Sequence, residues 1–137
     1  MLAQTDKLPK LQVLDLCSNK LKDAGLISLK NSTNFPQLYD LRLDTNGIEE
    51  AGALELTRGC TLENLTHLTI RNNLLKREGC KYIQIYALRN LKVLNLSRNQ
   101  VSDEGVANLA DASYLRNLEK LYLDDNQLNA EAAIKLA

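Results

Sequence analysis

The chain has 137 residues, enough for one domain of ordinary size. Apolar residues make up 45% and charged residues 25%, and seventeen Lys and Arg balance seventeen Asp and Glu. A formal net charge of zero removes the broad electrostatic field on which nonspecific nucleic-acid or acidic-membrane binding depends. Leucine is about a fifth of the chain and tryptophan is absent, a skew that points to internal repetition.

Met1 to Lys10 has no apolar core of signal-peptide length, and no stretch approaches the ~18 apolar residues of a membrane helix. The segment from Leu2, LAQTDKLPKL, aligns with LADASYLRNL from Leu109, so residues 1–10 read as the helical end of a preceding repeat. LQVLDLCSN from Leu11 then recurs as LYDLRLDTN from Leu38, LTHLTIRNN from Leu65, LKVLNLSRN from Leu91 and LEKLYLDDN from Leu118. Its closing asparagines, Asn19, Asn46, Asn73, Asn99 and Asn126, are spaced by 27, 27, 26 and 27 residues. The short step falls between Ile83 and Leu88.

Leu14 and Leu16, with their equivalents, alternate with polar residues at period two and face a core from one side of a strand. Each asparagine stands where the chain leaves the strand. Its side chain can both donate and accept, so stacked asparagines predict a hydrogen-bonded ladder. Two residues on lies an apolar anchor: Leu21, Ile48, Leu75, Val101 or Leu128. Four further on come Gly25, Gly52, Gly79, Gly105 and Ala132, small enough for layers to approach closely. Leu29, Leu56, Ile83, Leu109 and Leu136 follow one helical turn later on the same face. Ser102 and Asn129 read as N-caps, and Glu104 to Tyr114 contains no breaker after Gly105. Leu8, Phe35, Leu62, Leu88 and Leu115 supply an apolar residue three positions ahead of each strand segment.

L-x-x-L-x-L-x-x-N is the leucine-rich-repeat signature, present in five copies, and the resemblance to such repeats covers the chain from Leu2 to Ala137. With an apolar anchor, a glycine (Ala132 in the fifth copy) and a second apolar residue at four-residue steps in each return segment, the sequence resembles the ribonuclease-inhibitor-like class. That resemblance implies an α/β horseshoe with five parallel strands on the concave face and helices on the convex face. It implies a single domain over 1–137, with repeats starting at about 11, 38, 65, 91 and 118. It also implies that a partner protein binds in the concavity, with the chain acting as an inhibitor or adaptor. The alternative it implies is a substrate-recruiting or sensing module of a larger protein, as in GTPase-activating proteins, ubiquitin-ligase effectors or Nod-like receptors.

Three outward columns are free for such a partner: Val13, Asp40, His67, Val93, Lys120; Asp15, Arg42, Thr69, Asn95, Tyr122; and Cys17, Asp44, Arg71, Ser97, Asp124. Beside them run Ser18, Thr45, Asn72, Arg98 and Asp125. The partner-binding candidates are Asp40, Arg42, Asp44, His67, Thr69, Arg71, Asn95, Ser97, Arg98, Lys120, Tyr122 and Asp124. Both signs of charge occur, unlike a phosphate-binding stripe, so the partner is protein rather than nucleic acid or membrane. Asp15 with Arg42, Asp44 with Arg71 and Arg98 with Asp125 face each other across adjacent strands as prospective ion pairs. Five strands project roughly 320 Å² against about 800 Å² per partner in a stable interface, a gap for side-chain relief and loops to fill.

Nothing in the columns predicts catalysis. His67 has no nucleophile beside it, since Cys17 is two strands, at least ~9.6 Å, away. No metal-site spacing, phosphate loop or cofactor motif occurs. Cys17, Cys60 and Cys80 form an odd set of thiols, which places the chain in the reducing cytoplasm, and Cys80 falls on an inward helix position. Neither end has the polar outer face of a capping repeat. The chain therefore reads as part of a longer solenoid or one completed by a partner, with end-to-end association through the uncapped repeats as an expectation.

Overall fold

A leucine at every second position cannot be buried by one isolated strand; it needs the same strand stacked above and below. The computed structural model describes residues 8–30, 35–58, 63–83, 88–111 and 113–137, and shows that stack. Strands β1 (Val13–Asp15), β2 (Asp40–Arg42), β3 (His67–Thr69), β4 (Val93–Asn95) and β5 (Lys120–Tyr122) form one parallel sheet in chain order. They alternate with helices α1 (Lys22–Lys30), α2 (Glu50–Arg58), α3 (Lys76–Tyr82), α4 (Asp103–Ala110) and α5 (Ala130–Leu136). Leu14 pairs with Leu41, Leu41 with Leu68, Leu68 with Leu94, and Leu94 with Leu121. This is the register that the asparagine spacing predicts, including the 26-residue step. Backbone bonds extend it: Thr45 N–H donates to Arg71 O at 2.9 Å, and Arg98 N–H to Asp124 O at 2.9 Å.

The core lies between sheet and helices. Leu41, Leu43, Leu68, Ile70, Leu94 and Leu96 meet Leu26, Ala53, Leu56, Ile83, Val106 and Leu109, with the anchors Ile48, Leu75 and Val101 between them. Cys80 is fully buried, as its inward position predicts. At Gly105 a Cβ would stand 3.1 Å from Val101 Cγ1 and 3.3 Å from Cys80 Cβ, so a bare backbone lets neighbouring helices close up. Ser102 caps α4 by accepting from Gly105 N–H, and Asn129 caps α5 through Glu131 N–H.

One helix is shorter than its sequence suggests. The unbroken run to Tyr114 divides: α4 stops at Ala110, and Ser113–Leu115 forms a 3₁₀ turn that redirects the chain toward β5. Met1 to Lys7, Cys60, Leu62 and the site of the one-residue deletion lie outside the described residues. Among the described residues no helix is long and apolar enough to cross a membrane.

Candidate functional site: the concave strand face

The concave face is held in place by its asparagines. Asn46 Oδ1 accepts from the N–H groups of Asn19 (3.0 Å) and Leu21 (3.2 Å). Asn73 Oδ1 does the same for Asn46 and Ile48, both at 3.0 Å, and Asn126 Oδ1 for Asn99 (2.9 Å) and Val101 (3.0 Å). Each Nδ2 donates into the turn below and into its own turn; that of Asn73 reaches Leu43, Ile70 and Arg71 carbonyls at 2.9 to 3.1 Å. At Asn99 the oxygen reaches Leu75 N–H at 3.4 Å while Nδ2 donates to Ile70 O at 2.8 Å, so the predicted ladder runs one way through the stack and is loosest at the 26-residue step. Just ahead of it, Ser18, Thr45, Asn72, Arg98 and Asp125 all have φ between 54° and 61°. That left-handed turn, unusual for side-chain-bearing residues, swings the chain out of the sheet.

At the entry end of the strands, Asp40 differs from expectation. Expected to be free for a partner, it is only 8% exposed, because Arg42 folds back along its own strand and covers it. Arg42 Nη2 lies 2.8 Å from Asp40 Oδ2, while the cross-strand partner Asp15 is 3.7 Å away. Next to Asp40, the Tyr39 and His67 rings meet edge to face with centroids 6.4 Å apart. Thr66 Oγ1 lies 3.2 Å from Tyr39 O and 2.8 Å from His67 Nδ1. A hydroxyl has one proton; given to the Tyr39 carbonyl, it leaves the oxygen to accept from His67 Nδ1–H. Neutral His67 then keeps Nε2 as an acceptor.

The exit end corrects two further expectations. Asp44 and Arg71 do not form a side-chain ion pair: Asp44 Oδ1 accepts the Arg71 backbone N–H at 2.8 Å. Ser97, expected at the surface, is fully buried and donates its hydroxyl to Asp124. That bond holds the Asp124 carboxyl below the ordinary aspartate range. Arg98 and Asp125 pair as predicted, at 2.8 Å. Among the described residues the Arg71 guanidinium has no ion-pair or hydrogen-bond partner, although its charge reaches Asp124. Thr69 Oγ1 is buried without a partner, and Asn95 Oδ1 accepts from Ser97 N–H at 3.0 Å. Lys120 is exposed, and Tyr122 stands 44% exposed on β5.

Burial and the neighbouring Asp15 carboxylate push the Cys17 thiol up to about 11, so it stays protonated at neutral pH and is no activated nucleophile. Among the described residues no group of three or more His, Cys, Asp or Glu could hold a metal ion.

A second ladder escaped the sequence reading. Asn64, Asn90 and Asn117 donate Nδ2 to Pro36 O (2.8 Å), Glu63 O (2.7 Å) and Arg89 O (2.8 Å) of the preceding turn. Its signal was available: one residue type at steps of 26 and 27, directly before the first leucine of a repeat. With Thr66, Lys92 and Glu119 these asparagines line a shallow groove of about 480 Å³.

A family model described as a leucine-rich repeat matches residues 7–30, 87–110 and 114–137. No curated protein matches the sequence. Among solved structures, the tropomodulin C-terminal domain of Caenorhabditis elegans is similar with a TM-score of 0.71 at 15% identity, covering 93% of this chain and 81% of that one. An internalin of Listeria monocytogenes is 21% identical over 96% of this chain and 47% of its own, with a TM-score of 0.46. Five stacked strand-and-helix turns tied by an asparagine ladder, three of them matched by the family model, make this chain a member of the leucine-rich-repeat family.

Proposed function

We propose that this chain is a protein-binding scaffold that holds a partner protein against its concave strand face, as an inhibitor or adaptor and without a catalytic step of its own. One observation carries the reading. Of three arginines on or beside that face, Arg42 and Arg98 are neutralised by acids 2.8 Å away, whereas Arg71, near the middle of the sheet, has no partner among the described residues. An unpaired guanidinium on a rigid surface is what a partner can use: it gives up no existing bond, and the ladder has already ordered its backbone. Tyr122, large and exposed, offers a second anchor. Residues 1–137 act as one unit in this reading, which places the chain in the cytoplasm on the strength of its free thiols Cys17 and Cys80. End-to-end association through the terminal repeats is part of the same proposal.

The test is affinity capture of a partner followed by measurement of its Kd. Arg71→Ala and Tyr122→Ala are each expected to weaken binding by more than about 1 kcal/mol, with Lys81→Ala on the helix side leaving it unchanged. Loss confined to the helix variant would move the site to the convex face.

A further inference from the structure

We infer that the β3–β4 part of the concave face is a carboxylate-recognition site, where Arg71, Thr69 and Asn95 together take an Asp or Glu side chain of the partner. This rests on the concave-face reading above and names the chemistry of what binds there. Thr69 and Asn95 are register partners on adjacent strands, ~4.8 Å apart, and Arg71 lies two residues beyond Thr69 on the same face, ~6.8 Å along the strand. All three have unused donors. The Arg71 guanidinium is unpartnered among the described residues, and its backbone is pinned by Asp44. Ser97 N–H donates to Asn95 Oδ1, which fixes the amide so that its Nδ2 is the free end. The Thr69 hydroxyl is shut off from water with no partner among the described residues. Buried hydroxyls are nearly always satisfied, and an orphan of this kind gains from any acceptor that reaches it. Side chains around Thr69 must part to admit one, and Arg71 breaks no ion pair in moving.

Two guanidinium N–H groups, an amide N–H and a hydroxyl form a donor set, and the matching ligand is an anion with paired oxygens. The surrounding charge selects its valence. Asp44 and Asp124 occupy the same column as Arg71 on either side, so a dianion is repelled more strongly here than a single carboxylate.

The experiment is an NMR titration of the ¹⁵N-labelled chain with N-acetyl-glutamate N-methylamide at constant ionic strength, with phenyl phosphate and N-acetyl-lysine N-methylamide in parallel. Saturable shifts are expected at Arg71 Nε–H and Asn95 Nδ2 with the glutamate probe. Arg71→Gln should lower that affinity at least fivefold. Asn95→Asp, which keeps the acceptor for Ser97 N–H, should do the same, with unchanged Asn46, Asn73 and Asn99 signals reporting an intact ladder. No saturable shift at these groups, or tighter binding of phenyl phosphate, overturns the inference. Glutamate shifts confined to Lys120 and Tyr122 overturn it too, yet leave the concave-face reading standing. A captured partner sensitive only to helix variants removes that reading itself.

Discussion

The middle and the ends of this solenoid carry the same motif and meet different fates. Leu41, Leu68 and Leu94 are at most 1% exposed, while their equivalents Leu14 on β1 and Leu121 on β5 are only partly buried. Asn46, Asn73 and Asn99 are buried, Asn126 is half-buried and Asn19 is exposed. On the last turn Leu136 is 47% exposed, against 4% for its counterpart Leu109 on the turn before. The residue types match, so the difference comes from neighbours alone: a turn between two others has both faces covered, and an outer turn has one. Stability here belongs to the interfaces between turns more than to the turns themselves.

The largest expected effect tests that directly. Leu68→Ala should cost about 4 kcal/mol in denaturant unfolding and Leu121→Ala about 2, because a closed site cannot collapse around the cavity and a half-open one can. Equal losses would break the comparison. The ladder gives the next contrast. Asn73→Ala strands the N–H groups of Asn46 and Ile48 and should cost about 3 kcal/mol. Asn19→Ala loses only bonds to Leu16 O and Cys17 O at an exposed site and should cost under about 1 kcal/mol.

A smaller effect concerns how the last strand is fastened to the middle. The Ser97 bond lowers the folded-state pKa of Asp124, so its contribution is complete above the ordinary carboxylate value and fades as the pH falls through the folded one. Ser97→Ala should move the Asp124 carboxyl back up in a ¹³C titration and flatten that part of the acid-unfolding curve. The smallest effect sharpens the account of the turns. Gln100 has φ 59° one residue after its ladder asparagine, where the second repeat has Gly47 at φ 66°. Gln100→Gly should stabilise by about 0.5 kcal/mol, seen as a higher Tm.

What repeats was legible in the sequence. Strand leucines, ladder asparagines and anchors each appear five times, so a single physical role fits every copy, and Ser102 and Asn129 carry their capping chemistry on their own. What does not repeat was harder. Asp15, Asp40 and Asp44 all lie near Arg42 or Arg71, and exposed ion pairs differ by less than about 1 kcal/mol, so rotamers and burial choose the partner. Asp40 wins Arg42 because the guanidinium can lie flat along its own strand, and Ser97 sinks from view because Asp124 reaches over it. The absence of a partner for Arg71 follows from those choices, and no pattern of residue types announces it.

The one-way asparagine ladder also sets the grammar by which such a chain changes length. The oxygens of Asn46, Asn73 and Asn126 each serve two N–H groups of the turn before and that of Asn99 serves one, Leu75, so the joints of the stack all run in the same sense. Copying or excising one whole segment from asparagine to asparagine recreates an identical joint at the seam. Slipping the sequence by a single residue breaks every joint it crosses. Lineages built on this plan can therefore lengthen or shorten their binding surface by duplication and recombination of whole cassettes, without inventing a new core, while small insertions are confined to the outer loops.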